Sequence, residues 1–386
     1  MQLTYRHVCL EAFAHTLPEQ VVTSAEIEAR LAPLYERLRL PAGRLELMTG
    51  IRERRFWPPG TLPGEMSAAT AARLLAASEL ERRHVGALIH GSVCRDYLEP
   101  ATAAGVHQRL GLPSSCLLYD VSNACLGLLN GMVQVANMIE LGQIRAGIVV
   151  GTESGRALVD GTIAELNGDF SLHRRDTKRA FGSLTIGSGS AAVLLVHREI
   201  SRTGNRLLGG VVRARTAQNH LCRSRLDASI GGPEGPLMDT DSETLMHEGI
   251  QAAEDSFAEF LDLLDWPGDA IDKTFCHQVG KAHRKLLLET LDLRDGGDFS
   301  TLEFLGNTGA VALPMTASLG IAAGHLAPND RVALLGIGSG INVIMLAVDW
   351  QRSLVGDAAA SRGRRETGPR GGEDGRERRG VAGVAG

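Results

Sequence analysis

The sequence predicts an α/β fold, and three observations support this class. Apolar strand-like runs alternate with segments of helical periodicity along most of the 386 residues. A hydrophobic content of 44% with only 4% aromatic residues suits a broad core of aliphatic side chains. Two glycine-serine loops at residues 186–195 and 337–346 each continue into an apolar strand, which indicates two halves of comparable make-up.

The elements follow from these patterns. Apolar runs predict strands at 85–90, 116–121, 146–151, 191–196, 273–276, 332–337 and 342–348. Helical periodicity predicts helices at 24–38, 66–77, 124–141, 243–264, 280–291 and 312–324. Thr23 and Glu26 have the spacing of a capping box and predict the start of the first helix. A residue 303–311 segment reads as a short strand that turns at Gly306.

We divide the chain into an N-terminal half over residues 1–200, a C-terminal half over 201–350, and a tail over 351–386. From about Gly356 the sequence consists mainly of Gly, Arg, Glu and Ala with almost no large hydrophobic residues. Such a segment cannot bury enough apolar surface to order itself, so we expect the tail to be disordered.

Composition excludes several function classes. The net charge of -5 gives no reason to expect nucleic-acid binding. Six cysteines show neither paired metal-ligand spacing nor a disulfide framework, so we expect no metal site and a reducing, cytoplasmic compartment. The N-terminus has no signal-peptide pattern, and no apolar stretch reaches the roughly 20 residues that span a bilayer.

Cys125 is the first candidate catalytic residue. It follows an apolar strand and the short segment Ser122-Asn123-Ala124, and it precedes a helical run that is apolar nearly all round. A thiol at a helix N-terminus lies near unpaired amides and the positive end of the helix dipole, and both favour the thiolate. The sequence therefore predicts a nucleophile with a lowered pKa. Taken alone, a buried structural cysteine is the commoner case.

Two later polar residues lie at strand-to-loop junctions. His277 ends the apolar run 273–276, and Asn307 follows Gly306. A histidine can move protons or donate to a developing oxyanion, and an asparagine amide can donate without titrating. Each is weak evidence by itself, because core histidines and Gly-Asn turns are common. Together with Cys125 and the glycine loop at 336–340 they favour a functional site over a purely structural role.

At this point the chain resembles a known family. The motifs Asp-Val-Ser-Asn-Ala-Cys-Leu-Gly, Cys-His-Gln-Val-Gly, Gly-Asn-Thr-Gly-Ala and Leu-Leu-Gly-Ile-Gly-Ser-Gly-Ile-Asn occur in that order. They resemble the condensing enzymes of the thiolase superfamily, 3-oxoacyl-acyl-carrier-protein synthase III type, and the resemblance extends over about residues 3–350. Among these, the chain looks most like the bacterial long-chain acyl-CoA condensing enzymes of head-to-head olefin biosynthesis. The resemblance implies a duplicated thiolase fold, layered α-β-α-β-α, with two pseudo-symmetric halves.

The resemblance also implies roles. Cys125 would carry the acyl group as a thioester, while His277 and Asn307 would donate to the carbonyl of the second substrate. The main-chain N–H groups of Cys125 and Gly340 would form the oxyanion hole, with Gly338 and Ser339 as further substrate-binding residues of the same loop. Arg52 and Trp57 would bind the nucleotide of coenzyme A, the arginine through phosphate and the indole over adenine. No cofactor is expected, since coenzyme A enters as a thioester substrate.

Glu99 distinguishes two kinds of condensation. In decarboxylating relatives the residue before the corresponding proline is usually apolar and reaches across a dimer into the neighbouring site. A chain that joins two ordinary acyl thioesters must instead remove an α proton, and a glutamate can accept it. By this analogy Glu99 is a base that enters the active site of the other subunit of a homodimer. The alternatives are a salt bridge with Arg95 or a helix cap after Pro100.

The sequence thus predicts an acyltransferase that performs a Claisen condensation of two fatty acyl-CoA thioesters to a 3-oxoacyl product. The alternative within this family is a decarboxylating synthase III that joins acyl-CoA to malonyl carrier protein, which would make acyl carrier protein a partner. A papain-like cysteine hydrolase also uses Cys, His and Asn in that order, but its Cys-Gly-Ser-Cys-aromatic context is absent. A non-catalytic partner subunit would be expected to have lost some of these groups.

Overall fold

The computed structural model describes residues 1–174, 177–224 and 238–356. Its strands are β1 (Gln2–Thr4), β2 (Val8–Thr16), β3 (Gln20–Thr23), β4 (Glu53–Phe56), β5 (Val85–Gly91), β6 (Leu117–Val121), β7 (Ala146–Glu153), β8 (Gly189–His197), β9 (Arg206–Ala214), β10 (Cys222–Ser224), β11 (Met238–Thr240), β12 (Lys273–Cys276), β13 (Arg331–Gly338), β14 (Asn342–Asp349) and β15 (Val355–Gly356). Its α-helices are α1 (Ser24–Arg30), α2 (Ala32–Leu38), α3 (Arg44–Thr49), α4 (Pro63–Ser78), α5 (Thr102–Leu110), α6 (Gly127–Glu140), α7 (Arg156–Gly168), α8 (Thr177–Leu184), α9 (Ser242–Leu264), α10 (Lys281–Thr290), α11 (Leu302–Leu305) and α12 (Ala312–Ala322).

The strand topology repeats. In the first half the strand order is β6-β5-β7-β8-β2, and in the second it is β12-β13-β14-β9. Strands β5 and β7 are parallel, as are β12 and β13, and the next two neighbours in each half are antiparallel. Among the described strands, the two arrays join where Cys9 of β2 pairs with Arg206 of β9. The predicted duplicated α/β fold is therefore confirmed.

Helices form the remaining three layers. Helices α4 and α5 pack on the outer face of the β6-β5-β7-β8-β2 sheet of the first half. Helix α9 packs on the outer face of the β12-β13-β14-β9 sheet of the second half, with α10 beside it. Helices α6 and α12 lie between the sheets and share one core with both. The sequence of α12 is apolar or small on every side, which is the pattern expected of a helix that contacts no solvent.

Two predicted elements differ from the structure. The helix predicted at 24–38 is divided at Leu31, because Pro33 lies in the first turn of α2, where proline is favoured. Its capping box is confirmed: Thr23 Oγ1 accepts from the Glu26 N–H, and the Glu26 carboxylate accepts from the Thr23 N–H. The strand predicted at 303–311 is wrong, because residues 302–305 form the helical turn α11.

The chain remains ordered past the predicted start of the tail. Strand β15 pairs in parallel with β2, and the Phe13 N–H donates to the Leu354 carbonyl over 3.1 Å. The prediction of disorder from residue 351 is therefore wrong for residues 351–356, of which Val355 and Gly356 extend the sheet. Residues 357–386 lie outside the described residues.

Membrane-spanning helices and clustered metal ligands are both absent from the described ranges. No helix there is both long and apolar enough to cross a lipid bilayer. No group of three or more His, Cys, Asp or Glu side chains in these ranges is placed to hold a metal ion.

Three glycines bring the start of α6 against the ends of two strands. A Cβ placed on Gly91 would lie 2.7 Å from the backbone carbon of Gly127 and 2.8 Å from the Cα of Leu128. A Cβ on Gly151 would lie 2.4 Å from the Gly91 carbonyl oxygen. Because the obstructing atoms are backbone, no side chain can move aside. These glycines fix the position of the segment that directly follows Cys125.

Gly91→Ala tests this packing. We expect it to destabilise the fold by about 1–3 kcal/mol, the usual cost of overpacking a filled core. The matched control is Gly105→Ala, at an exposed position of α5 where a Cβ meets nothing within 4 Å. That control should be neutral or stabilising by up to about 1 kcal/mol. Urea unfolding of both variants checks the contrast, and equal stabilities would contradict it.

Candidate active site

Cys125 lies in the turn between β6 and α6. The Leu126 N–H donates to the Asn123 carbonyl over 2.9 Å, and Ala124 has a φ of 45°, in the left-handed region. Such a conformation is uncommon for a residue with a Cβ and is typical of tight, functionally constrained turns. The turn presents Cys125 just before the helix begins.

The predicted ionisation of Cys125 is wrong. The residue precedes the N-cap, Leu126, and is not in the first turn of the helix. Burial, with a smaller contribution from the Glu153 carboxyl, raises the pKa of the Cys125 thiol to about 12. Removing a thiolate from water therefore outweighs any benefit from the helix dipole. The resting nucleophile is a protonated thiol.

The loop between β13 and β14 lies directly beside the nucleophile turn. A Cβ on Gly338 would be 3.0 Å from the Leu126 Cγ and 3.6 Å from the Cys125 nitrogen. Asn342 Nδ2 ties the two segments together by donating to Asn123 Oδ1 over 3.3 Å. It also donates to the Ser339 carbonyl, over 3.2 Å. The structure thus brings Gly338 and Ser339 next to Cys125, and Gly340 follows them in the same loop.

His277 is a neutral, unpartnered imidazole. It directly follows β12, its backbone N–H donates to the Leu335 carbonyl over 3.0 Å, and its side chain is buried. Burial, with a smaller effect of His283, lowers the pKa of His277 to about 3. Neither ring nitrogen has a hydrogen-bond partner among the described residues. One N–H donor and one lone pair are therefore free for a ligand, which is unusual for a buried polar group.

Asn307 is oriented by its own backbone turn. Its N–H donates to the Thr185 carbonyl over 2.9 Å, and its carbonyl accepts from the Gly187 N–H over 2.8 Å. The side-chain Oδ1 accepts from the Gly309 N–H over 3.0 Å. Because the oxygen is used in the turn, the Nδ2 amide is the end that faces away and can donate to a substrate.

Glu153 is a site residue that the sequence analysis missed. It ends β7, is buried, and its carboxyl accepts main-chain N–H groups from Val93, Cys94 and Ala310. Burial raises its pKa, against these hydrogen bonds, which favour the carboxylate. An acidic residue at the end of a predicted buried strand was the available signal. However, one acidic residue with no second polar residue at a characteristic spacing is weak evidence for a functional site.

Glu99 lies in an exposed loop between β5 and α5. The loop also exposes apolar side chains: Val93 is 51%, Tyr97 58% and Leu98 69% exposed. A loop of this composition is typical of a protein-protein contact.

The predicted nucleotide-binding residues separate in the structure. Arg52 is half-exposed and forms an ion pair with Glu303 over 3.1 Å. Trp57 is only 4% exposed, and its indole N–H donates to the Glu153 carbonyl over 3.0 Å. The prediction that Trp57 covers an adenine ring is therefore wrong, because its faces are already packed by protein. Arg54, beside them in β4, is also buried and donates to Ser24 Oγ.

Comparisons with known proteins identify the family of this chain. Residues 261–350 match the family 3-oxoacyl-[acyl-carrier-protein (ACP)] synthase III C terminal, and residues 59–159 match the thiolase N-terminal domain. The chain is 39% identical over 351 residues to an acyl-CoA:acyl-CoA alkyltransferase of Shewanella oneidensis, covering 90% of this chain and 100% of the relative. It is 25% identical over 348 residues to a beta-ketoacyl-[acyl-carrier-protein] synthase III of Streptomyces coelicolor, covering 88% of this chain and 96% of that one.

Solved structures give the same result. The cerulenin-bound OleA of Xanthomonas campestris superposes with a TM-score of 0.84 at 32% identity, covering 90% of this chain and 98% of that one. A cysteine-to-serine variant of the same protein, with bound lauric acid and lauroyl-CoA, has the same score and identity and is covered over 100% of its length. The chain belongs to the thiolase-fold condensing enzymes of the 3-oxoacyl-acyl-carrier-protein synthase III type, and it is an acyltransferase.

The buried histidines predict how stability depends on pH. Burial lowers the pKa of His283, in α10, to about 4, below its unfolded value of 6.5. Its contribution is complete above pH 6.5 and is lost as the pH falls toward the folded pKa, because the unfolded chain then binds the proton more readily. From about pH 7.5 to about pH 5 the loss is about 2 kcal/mol.

We therefore expect His283→Gln to flatten the acid-side fall of the unfolding free energy by about this amount, whatever its stability at neutral pH. Urea denaturation at several pH values measures the slope. His84→Gln, at an exposed position, is the control and should leave the slope unchanged. A slope in the His283 variant equal to that of the parent would refute the prediction.

Proposed function

We propose that this chain joins two fatty acyl-CoA thioesters in a non-decarboxylating Claisen condensation through an acyl-Cys125 intermediate. The observation that carries the proposal is the location of Cys125 beside the glycine loop, in a chain whose buried His277 has both ring nitrogens free. Coenzyme A enters as part of the substrates, and no further cofactor takes part. The raised pKa of Cys125 and the lowered pKa of His277 both result from burial, which indicates a site that excludes water. Hydrogen-bond donors stabilise a transition state most strongly in such a site.

The first step is acyl transfer to sulfur. Cys125 Sγ attacks the thioester carbonyl, and the oxyanion is held by the N–H groups of Cys125 and Gly340. Because the thiol is protonated at rest, its proton must leave as the new bond forms, and the neutral His277 has a lone pair to accept it. The carbon–sulfur bond of coenzyme A then breaks, and its thiol takes the proton.

The second step forms the carbon–carbon bond. His277 and Asn307 donate to the carbonyl oxygen of the second acyl-CoA, which stabilises its enolate. Glu99 from the other subunit accepts the α proton. The enolate carbon attacks the acyl-Cys125 carbonyl, and the tetrahedral intermediate expels the Cys125 sulfur. The sulfur takes up one proton, which balances the α proton that Glu99 accepted and then releases. The product is a 3-oxoacyl-CoA that contains both chains.

The relatives support these assignments. Solved structures of the Xanthomonas campestris protein include variants at one glutamate, one cysteine and one histidine. Its glutamate and cysteine are separated by the same number of residues as Glu99 and Cys125. The exposed apolar loop that carries Glu99 fits a homodimer in which each subunit completes the site of the other. We place this enzyme in the cytoplasm, in lipid metabolism.

A second candidate function is the decarboxylating condensation of acyl-CoA with malonyl carrier protein. It is favoured by relatives named beta-ketoacyl-[acyl-carrier-protein] synthase III, at 25% and 26% identity. That reaction generates its enolate by losing carbon dioxide and needs no base at Glu99. Fatty acid initiation and a carrier-protein partner would then replace the acyl-CoA pair.

A substrate assay separates the two functions. With lauroyl-CoA alone, we expect the enzyme to release coenzyme A and a 3-oxo product detectable by mass spectrometry. Cys125→Ala should abolish both signals, whereas Cys116→Ala, at a buried thiol in the outer core of the first half, should retain them. Glu99→Ala should lower condensation about 100-fold or more, since general bases contribute roughly 10²–10⁴. An absolute requirement for malonyl thioester would overturn the proposal.

A mixing experiment tests where Glu99 acts. Cys125→Ala and Glu99→Ala homodimers are each expected to be inactive, but a mixed dimer contains one complete site if Glu99 acts across the interface. Random exchange at equal concentrations makes about half the dimers mixed, so about a quarter of the parental activity should return. If Glu99 acts within its own chain, no activity returns. Native mass spectrometry of the mixture verifies that exchange has occurred.

A further inference from the structure

Glu153 occupies a place that the proposed mechanism leaves unused. Its side chain is buried, yet its carboxyl accepts hydrogen bonds from three main-chain N–H groups on two distant segments of the chain. Buried carboxylates are costly unless such donors satisfy them, and each donor is in turn held by the acceptor. Glu153 joins two segments. One is residues 92–94, the stem of the loop that carries Glu99, and the other is residues 308–310, the turn after Asn307.

The first segment is the loop stem. Glu153 Oε1 accepts from the Val93 N–H over 2.9 Å, and Oε2 accepts from the Cys94 N–H over 3.3 Å. Ser92 Oγ, one residue earlier, donates to the Thr152 carbonyl over 2.7 Å. The stem is therefore fixed to the end of β7, while the outer part of the loop, with Glu99, stays exposed. A shift at the stem would move everything beyond it.

The second segment is the turn that orients Asn307. The Ala310 N–H donates to Glu153 Oε1 over 3.4 Å. A Cβ on Gly309 would lie 3.3 Å from the Glu153 carboxyl carbon, so this turn rests directly on the side chain. The Gly309 N–H in turn holds the Oδ1 of Asn307, as described above. One carboxyl thus supports the residue whose amide is assigned to the enolate.

The carboxyl also lies within electrostatic range of the nucleophile. Burial raises the pKa of the Cys94 and Cys125 thiols, and the Glu153 carboxyl adds a smaller increase to each pKa. It is therefore near the reacting sulfur as well as the two supporting segments. No other described side chain accepts hydrogen bonds from both segments.

We propose that Glu153 is a positioning residue that holds the stem of the Glu99 loop and the Asn307 turn at fixed positions relative to Cys125. It does not touch the substrate. This inference rests on the proposed function for the roles of Glu99 and Asn307, both of which serve the condensation step. The loss of Glu153 should therefore slow condensation far more than acylation of Cys125.

The test compares Glu153→Ala and Glu153→Gln with the parent. A misplacement of about 1 Å can cost on the order of 10²-fold in rate, so we expect Glu153→Ala to lower condensation at least about 30-fold. Acylation of Cys125 in a single turnover should stay within about 5-fold, so that acyl-enzyme accumulates and is seen by mass spectrometry. Glutamine keeps an oxygen for Val93 and Ala310 but turns an amide N–H toward the Cys94 N–H, so Glu153→Gln should recover only part of the rate.

Glu28→Ala is the matched control. Glu28 is also a buried glutamate that accepts two main-chain N–H groups, from Gly43 and Leu45, but it lies in α1 and joins that helix to the start of α3. The Glu28→Ala variant should be less stable than the parent, but the rates of acylation and condensation should change by similar factors. Hydrogen exchange should accelerate at the amides of Val93, Cys94 and Ala310 in Glu153→Ala and remain slow there in Glu28→Ala.

Equal losses in acylation and condensation, or unchanged exchange at those three amides, would overturn the positioning role. The exchange measurement does not depend on the reaction. One outcome is that the parent enzyme does not condense lauroyl-CoA while Glu153→Ala still exchanges hydrogen faster at these three amides. In that case the proposed function would fail and the structural role of Glu153 would stand. If the parent condensed lauroyl-CoA and hydrogen exchange in Glu153→Ala were unchanged, the inference about Glu153 would fail and the proposed function would stand.

Discussion

The site depends on the close contact between the end of β13 and the first residue after the nucleophile. A Cβ on Gly336 would lie 2.8 Å from the Leu126 Cδ2, and one on Gly338 would lie 3.0 Å from its Cγ. Larger residues at these two positions would push the second half of the molecule away from the first. Because Cys125 comes from one half and His277 from the other, this contact sets the frame within which their chemistry can meet. In the duplicated topology β12 of the second half corresponds to β5 of the first, and β5 is the direct neighbour of β6, the strand that leads to Cys125.

Desolvation then sets the character of the site. It raises the pKa of Cys125 to about 12 and lowers that of His277 to about 3, so both groups are neutral at rest. An ion pair between thiolate and imidazolium would have to pay for the removal of two charges from water. A neutral pair avoids that cost, and the charge appears only while a thioester is being attacked. Amide donors that are already fixed in place stabilise such transient charge most effectively, which explains why backbone N–H groups and an asparagine are suitable partners.

The sequence predicted the parts of the fold that local pattern determines. The strand at 273–276 has the predicted bounds, and most others agree within one or two residues. Strand β2 was not predicted, because the buried polar residues Glu11 and His15 interrupt its apolar run. For the site, motifs predicted Cys125, His277 and Asn307 as candidates, but they did not predict the raised pKa of Cys125, which depends on atoms packed around it from distant segments. Trp57 was misassigned for the same reason, since the sequence does not show which aromatic residues are covered.

Glu153 shows why such supporting residues escape sequence analysis. Its partners are main-chain N–H groups at positions 93, 94 and 310, and a main-chain N–H leaves no mark in the sequence. The geometry nevertheless has a clear consequence for the assembly. The stem of the Glu99 loop is fastened inside one subunit, while Val93, Tyr97 and Leu98 remain exposed and apolar. Fastening the stem reduces the conformations that the loop must lose when a partner covers it, and binding to a preordered loop costs less entropy. In the proposed dimer, the same carboxyl would therefore support the site of its own chain and the base delivered to the other.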